Sequence, residues 1–273
     1  MPELPEVETL VRDLRAQIRG RKIVNAIVRW RRTIALPRAP KFSAQIGDQT
    51  ITTITRRGKY LVFHLARGAQ KKFLLVHLRM TGGFSIDPPS EPRDKHMHVI
   101  FQLDDGNELR FRDTRKFGRM WLVDEPARVT EKLGPEPLEI SARDFDARVQ
   151  ARRGNLKPLL LEQKFIAGIG NIYADESLWY ARLHPLRRAE SLTRAERARL
   201  YRAIQKVLTR AIDLGGTSID VMYKRVNGAS GEFQNSLRAF DREKKPCRRC
   251  GTIIIKTVVG QRGTHFCPGC QKL

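Results

Sequence analysis

The chain has 273 residues, of which 52 are Lys or Arg and 29 are Asp or Glu, so its formal net charge is +23. This length allows two domains with separate cores, and the charge indicates a polyanionic partner, with DNA or RNA the first candidates. No apolar run has the length of a membrane span and no signal peptide is recognisable, so we expect a soluble, cytoplasmic protein without a membrane partner.

The first twenty residues predict a helix whose start carries a nucleophile. Removal of Met1 would leave Pro2 as a terminal secondary amine with a pKa of roughly 7.7 to 8.0, partly unprotonated at neutral pH. Such an amine can attack C1′ of a nucleoside and form an iminium ion that drives elimination of the phosphates without a catalytic cofactor. Pro5 suits a first helical position and Gly20 ends the helix. Apolar residues recur between them at helical spacing: Val7, Leu10, Val11, Leu14 and Ile18.

Glu3 and Glu6 flank Pro5 in the first turn of this helix. The helix dipole favours ionised carboxylates there, so a general acid at Glu3 would need a pKa raised by burial or by bound DNA. The alternative is that both glutamates are ordinary helix-start residues.

From residue 21 to about 125, short runs of β-forming residues replace the helical pattern. We predict seven strands: KIVNAIVRW, TITTITR, YLVFHL, FLLVHL, HVIFQL, ELRFRD and MWLV. Seven short strands after one helix indicate a β-sandwich. Lys59 follows Arg56 and Arg57 at the start of a strand, and this cluster is either solvated or in contact with a phosphate.

Residues 126–140 have no clear periodicity and predict a linker. Beyond them, two helical stretches surround the break AGIGN, and a third helix covers 194–214. Backbone N–H groups at such a break form an anion site, in which Gly170 and Asn171 would meet a phosphate. The alternative is a glycine-containing turn between helices.

The cysteines form two C-x2-C pairs, Cys247 with Cys250 and Cys267 with Cys270. This spacing predicts one structural Zn²⁺ held by four thiolates on a β-hairpin. A pair of disulfides is the alternative, which an intracellular chain without other cysteines disfavours. Arg262 would lie at the hairpin tip, within reach of a phosphate or groove.

The motifs MPELPEVE, HLRMTG, DTRKFG, GIGNIYADE and QRGTHFCPGCQ together resemble bacterial formamidopyrimidine-DNA glycosylase, in order and over the whole chain. The resemblance implies a two-domain α+β fold. Its parts would be an N-terminal helix with a β-sandwich (1–125), a hinge (126–140), a helix-two-turn-helix domain (141–238) and a zinc finger (239–273).

The same resemblance implies roles for individual residues. The catalytic positions would be Pro2 as Schiff-base nucleophile, Glu3 as general acid on the sugar, Glu6 as supporting carboxylate, Lys59 in elimination and Arg262 on the phosphates of the damaged nucleotide. Met80, Arg115 and Phe117 would fill the space left by the extruded base. Further DNA contacts would be His96, Arg152, Lys157 and Asn171.

The implied function is excision of oxidised purines from damaged double-stranded DNA by a monomer in the bacterial cytosol or nucleoid. The alternatives are an endonuclease VIII-like glycosylase for oxidised pyrimidines and a non-catalytic damage-binding protein. Arg79 and Asp241 depart from the family pattern, and Asp241 in place of a glycine predicts a different turn before the finger. The stretch 217–234, where the family holds the extruded base, is only loosely similar.

Overall fold

The computed structural model describes residues 1–219 and 223–273, and these fold into two compact units. The first unit contains Met1–Glu131 and Gly215–Glu232, and the second contains Lys132–Leu214 and Phe233–Leu273. Each unit is described by itself below. In neither unit is a described helix both long enough and apolar enough to cross a membrane.

The first unit begins with helix α1, Leu4–Ile18. The apolar residues predicted to share its buried face, from Val7 to Ile18, are at most 1% exposed, which confirms the helical spacing. Glu3 and Glu6 form a reciprocal capping box at its start, a motif that satisfies two backbone N–H groups left free by the helix geometry.

Nine strands follow, joined by hydrogen bonds into one sheet of order β2-β9-β5-β4-β3-β1-β7-β8-β6. The strands are β1 Lys22–Val28, β2 Ile34–Leu36, β3 Gln49–Arg57, β4 Tyr60–Arg67, β5 Gln70–His77, β6 Gly82–Asp87, β7 Met97–Leu103, β8 Glu108–Asp113 and β9 Arg119–Val123. All pairs are antiparallel except β2 with β9. The sequence prediction lacked β2, β6 and two short helices, α2 Ala39–Ile46 and α3 Ala127–Thr130.

The sheet folds over on itself, which confirms the predicted β-sandwich. β4 and β6 are separated in the sheet by four other strands, so a flat sheet would hold them about 24 Å apart at the usual strand spacing. Phe63 of β4 and Phe84 of β6 instead meet with ring centroids 5.8 Å apart. Both rings belong to the core that α1 also covers.

The described residues of 215–232 pack with the first unit, whereas the sequence analysis placed this stretch in the helical domain 141–238. Gly216 lies against α1 so closely that a Cβ there would be 2.9 Å from Oε1 of Glu6. Tyr223 and Val226 enter the sandwich core, and Arg225 pairs with Asp13 at 2.6 Å. These are contacts between distant parts of the chain, which local sequence patterns do not reveal.

The second unit contains four helices and the finger hairpin, which is strands β10 and β11 with their turn. The helices are α4 Ala142–Gln150, α5 Leu156–Leu161, α6 Asn171–Ala181 and α7 Arg194–Asp213, and the strands are β10 Ile255–Val259 and β11 Arg262–Phe266. The helices on either side of AGIGN and the long third helix match the prediction. Asp241 has a φ of 56°, the left-handed conformation that glycine adopts readily, so the expected change of turn is not required.

Candidate active site and nucleic-acid interface

The start of α1 is buried. Pro2 is buried, and Glu3 and Glu6 are each only 2% exposed. Glu6 accepts a hydrogen bond from the Glu3 backbone N–H through Oε2 at 2.8 Å and one from the Thr217 N–H through Oε1 at 2.8 Å. Helix-start glutamates normally lie in water, and burying two carboxyl groups has a free-energy cost, so capping alone does not account for this arrangement.

Lys59 lies in the turn between β3 and β4 and is 7% exposed. Nε of Arg56, three residues earlier, pairs with Oε2 of Glu8 on α1 at 3.2 Å. The ion pair fastens this turn to the first half of α1. The turn that carries Lys59 is therefore held near the first half of α1.

His77, which the sequence analysis did not single out, lies at the end of β5 beside this cluster. Its ring meets Tyr60 edge to face at 4.8 Å, and its Nδ1 accepts the Arg79 backbone N–H at 3.0 Å. Burial, and then the positive charges of Arg79 and Lys59, lower the pKa of His77 to about 3. His77 is therefore a neutral side chain between two cations. His77 belongs to the motif HLRMTG, in which the sequence analysis considered Arg79 and Met80 but not the histidine.

The three predicted filling residues lie on neighbouring turns of the first unit. Met80 precedes β6, while Arg115 and Phe117 lie in the loop between β8 and β9. Met80 is 40% and Phe117 47% exposed, unusually so for large apolar side chains. The Arg115 guanidinium lies over the Phe117 ring at 5.0 Å. Gly82 of β6 pairs with Asp113 of β8, which brings the two turns together.

Thr81 and Lys224 line a cavity of about 310 Å³ in the first unit. Lys224 belongs to the stretch 217–234 that the resemblance assigned to the extruded base. Residues 220–222 of that stretch lie outside the described residues.

In the second unit, α6 begins at Asn171, directly after Gly170. The Asn171 side chain donates from Nδ2 to the carbonyl of Gly263 at 3.0 Å, next to the exposed Arg262 on the finger hairpin. The turn, the helix start and Arg262 are thus adjacent within this unit.

Lys157, predicted as a DNA contact, lies inside the second unit. It is fully buried, its Nζ pairs with Oδ1 of Asp175 at 2.6 Å, and it donates to the carbonyl of Gly263 at 2.9 Å. Both contacts hold Lys157 inside the second unit, next to Gly263 of the finger hairpin. The apolar residues around Lys157 in LKPLLLEQ are typical of a buried helix, but the prediction for Lys157 followed the family resemblance.

The remaining predicted contacts lie at half-buried positions. His96 donates its backbone N–H to Asp94 Oδ1 at 2.6 Å. The Arg152 guanidinium lies 5.8 Å above the Phe165 ring and 3.8 Å from Oε1 of Glu162.

The four cysteines fit a tetrahedral zinc site. Their sulfur atoms all lie within 4.8 Å of one another, with Cys247 and Cys270 at 4.0 Å and Cys250 and Cys267 at 3.5 Å. A Zn–S bond of about 2.3 Å gives tetrahedral S–S distances of about 3.8 Å, whereas a disulfide needs about 2.05 Å. The cysteines are free thiols, and four thiolates leave no open position for catalysis.

Comparison with known families assigns this architecture. Residues 1–120 match the formamidopyrimidine-DNA glycosylase N-terminal domain, 133–223 the H2TH domain of the same proteins, and 244–273 the zinc finger found in FPG and IleRS. The chain belongs to the formamidopyrimidine-DNA glycosylase family. It is therefore a DNA glycosylase of base excision repair, and its finger holds a structural zinc.

Relatives in this glycosylase family match over essentially the full length. The formamidopyrimidine-DNA glycosylase of Herpetosiphon aurantiacus is 46% identical over 99% of this chain and 100% of its own. That of Enterococcus faecalis is 44% identical over 100% of this chain and 98% of its own.

Two similar solved structures of the family contain damaged DNA. A Lactococcus lactis FPG mutant bound to Fapy-dG DNA has a TM-score of 0.92, with 37% identity over all of both chains. The wild-type L. lactis protein bound to DNA with an oxidised pyrimidine has a TM-score of 0.91, again with 37% identity over all of both chains.

Proposed function

We propose that this glycosylase binds damaged double-stranded DNA, excises oxidised purines such as 8-oxoguanine and formamidopyrimidines, and then cleaves the strand as an AP lyase. In the first step the Pro2 nitrogen attacks C1′ and the damaged base leaves. Opening of the sugar gives a Schiff base, and successive proton losses expel the 3′ and 5′ phosphates by β,δ-elimination. A cytoplasmic, nucleoid-associated location follows from this role.

The buried Pro2–Glu3–Glu6 start of α1 is the observation that carries the proposal. DNA binding alone gives no reason to bury two carboxyl groups beside a terminal imino acid. Glu3 acts as general acid on the sugar from its buried position at the start of α1. Glu6, held by the Glu3 and Thr217 N–H groups, fixes this first turn.

The cations of the two units contribute to the phosphate chemistry. Lys59 assists elimination from the turn fastened to α1, and its charge attracts the phosphates flanking the lesion. Arg262, with Gly170 and Asn171 near it, grips the distorted backbone, since a guanidinium binds phosphate through two parallel donors. His96 and Arg152 add contacts elsewhere along the strands.

Met80, Arg115 and Phe117 fill the hole left by the flipped nucleotide. Unstacking a base costs a few kcal/mol, which two exposed apolar side chains partly recover. Arg115 donates hydrogen bonds but accepts none, so it matches the acceptor edge of cytosine better than the mixed edge of adenine. We therefore expect faster excision opposite cytosine.

Oxidised pyrimidines are the second candidate substrate, because the similar L. lactis protein was solved with DNA carrying one. Rates on thymine glycol and on 8-oxoguanine in matched duplexes decide between the two. Faster removal of thymine glycol would reverse the proposed preference.

Borohydride reduction during turnover tests the nucleophile. We expect a stable cross-link between the mature N-terminus and DNA, mapped to Pro2 by mass spectrometry. Glu3→Gln should retain binding and lose base excision, while Glu91→Gln, an exposed carboxylate of the same unit, should be unaffected. A cross-link at a lysine, full activity of a form that keeps Met1, or binding without any cross-link would contradict the mechanism.

A further inference from the structure

The residues proposed to fill the hole are carried by two turns, 79–82 and 113–118, which we call the wedge turns. Asp113 ends β8 directly opposite Gly82, where β6 begins, and is 1% exposed. The carboxylate of Asp113 is therefore close enough to accept hydrogen bonds from both turns.

Both oxygens of this carboxylate are occupied by donors from the wedge turns. Oδ1 accepts the Thr81 hydroxyl in a short hydrogen bond and the Arg115 N–H at 3.2 Å. Oδ2 accepts the Gly118 N–H at 2.7 Å. Thr81 Oγ1 in turn accepts from the Arg115 N–H at 3.1 Å. Met80 is thus joined through Thr81 to the loop that carries Arg115 and Phe117.

The glycine at 118 is required by this arrangement. A Cβ there would lie 2.5 Å from the Phe111 ring and 3.1 Å from Oδ2 of Asp113, so the loop backbone lies closer to the Phe111 ring than a side chain at 118 allows.

Lys116 fixes the loop from the side. Its backbone is left-handed, with a φ of 59°, and its Nζ lies 4.4 Å from the centre of the Trp30 ring. His98 Nε2 is 2.8 Å from the carbonyl of Asp113. With Lys116 turned toward Trp30, Arg115 and Phe117 on either side of it remain exposed and stacked on each other.

We propose that Asp113 is a positioning residue that joins the two wedge turns into one preformed unit, so that Met80, Arg115 and Phe117 enter the duplex together. This role rests on the proposed function of those three side chains. Asp113 itself touches no DNA. It fixes the two turns before DNA binds, so that they need not be ordered during binding.

Asp113→Asn tests the role with almost no change of shape. An amide keeps one acceptor but turns an NH2 group toward donors, either those of Thr81 and Arg115 or that of Gly118. The readout is a ratio: kcat/KM for excising 8-oxoguanine opposite cytosine in a duplex, divided by the rate of cleaving an abasic site in single-stranded DNA. The single strand has no opposite base and no hole to fill.

We expect this ratio to fall at least about tenfold, the scale of one lost hydrogen bond to a charged group, together with a smaller preference for cytosine over adenine. Thr81→Val should reproduce the loss, because it removes only the hydroxyl, and Thr81→Ser should restore the ratio. Asp87→Asn, at the far end of the same strand pair, is the matched control and should leave the ratio unchanged.

Equal losses on both substrates, in Asp113→Asn and in Thr81→Val, would overturn the proposal by showing a general need for folding. An unchanged ratio in both variants would overturn it too. If the wild-type protein cleaved neither substrate, the proposed function would fail, and this role with it.

Discussion

A buried aspartate holds the backbone beneath exposed side chains in each unit: Asp113 beneath the wedge turns of the first, and Asp175 beneath the finger hairpin of the second. We call each aspartate with its hydrogen-bond and ion-pair partners a frame, the wedge frame and the finger frame. The two frames differ in charge. Asp113 accepts hydrogen bonds from neutral donors, a hydroxyl and backbone N–H groups. Asp175 accepts the His265 N–H at 2.8 Å and also pairs with the fully buried Lys157 at 2.6 Å.

The difference determines how each frame fails. Removing one partner of a buried ion pair leaves an uncompensated charge and destabilises by about 3 to 5 kcal/mol. Removing a neutral donor costs about 1 to 3 kcal/mol. The finger frame is therefore tied to the stability of its unit, whereas the wedge frame can be altered while the sandwich stays folded.

Zinc removal should have the largest effect and should be confined to the finger. The finger core is small, with Trp179, Ala239, Ile254 and two of the cysteines as its buried members, and a site of this kind obtains most of its folding free energy from the metal, roughly 10 to 16 kcal/mol. Chelation should release one zinc per chain and weaken DNA binding. Amide exchange should then become fast at Gly263 and His265 but stay slow at Gly118. Persisting protection of the finger amides would contradict this.

Lys157→Met should be next in size. It leaves Asp175 charged and buried, so the free energy of unfolding by urea should fall by about 3 to 5 kcal/mol. The double variant with Asp175→Asn should recover part of the loss, since the charge is gone and an acceptor for His265 remains. Asp113→Asn is the matched comparison and should lose about 1 to 3 kcal/mol. Equal losses in the two single variants would remove the distinction between the frames.

Regular patterns in the sequence were enough for α1, most of the sheet, the long helix and the zinc site. Strand β6 was missed because Gly82 and Gly83 resemble a turn. A Cβ at Gly82 would lie 2.5 Å from the Leu78 carbonyl, so this glycine serves a close approach inside the sheet edge. Strand β2 has only three residues, too few for an alternation to be recognised.

The frames of the site escaped prediction for a different reason. Each aspartate has one partner that only the fold brings to it: Asp113 accepts from the Thr81 hydroxyl across 32 residues of sequence, and Asp175 accepts from the His265 N–H across 90. An aspartate at the end of a predicted strand or within an apolar helix is the available signal, but it does not identify the partner. Lys157 is a further example, since the resemblance implied a DNA contact while the ion pair with Asp175 has no local signal in the sequence.

The smallest predicted effect concerns the acid stability of the first unit, around His77. His77 lies near Lys59 and Arg79, and its folded pKa of about 3 is well below the ordinary 6.5. Between these values the unfolded chain binds a proton at His77 and the folded chain does not. The free energy of unfolding therefore falls as the pH falls from 6.5 toward 3.

His77→Gln removes this titration while keeping an acceptor for the Arg79 N–H. Urea unfolding at pH 7.5 and pH 5 should show the wild-type protein losing about 2 kcal/mol more than the variant, because each pH unit below 6.5 contributes about 1.4 kcal/mol. His184→Gln in the second unit is the control. Burial is the cause that lowers the pKa of His184, so this variant should change the pH dependence of the free energy of unfolding by less. An equal loss in wild type and His77→Gln would mean that the histidine is not held neutral, and that the charges of Lys59 and Arg79 are screened from it.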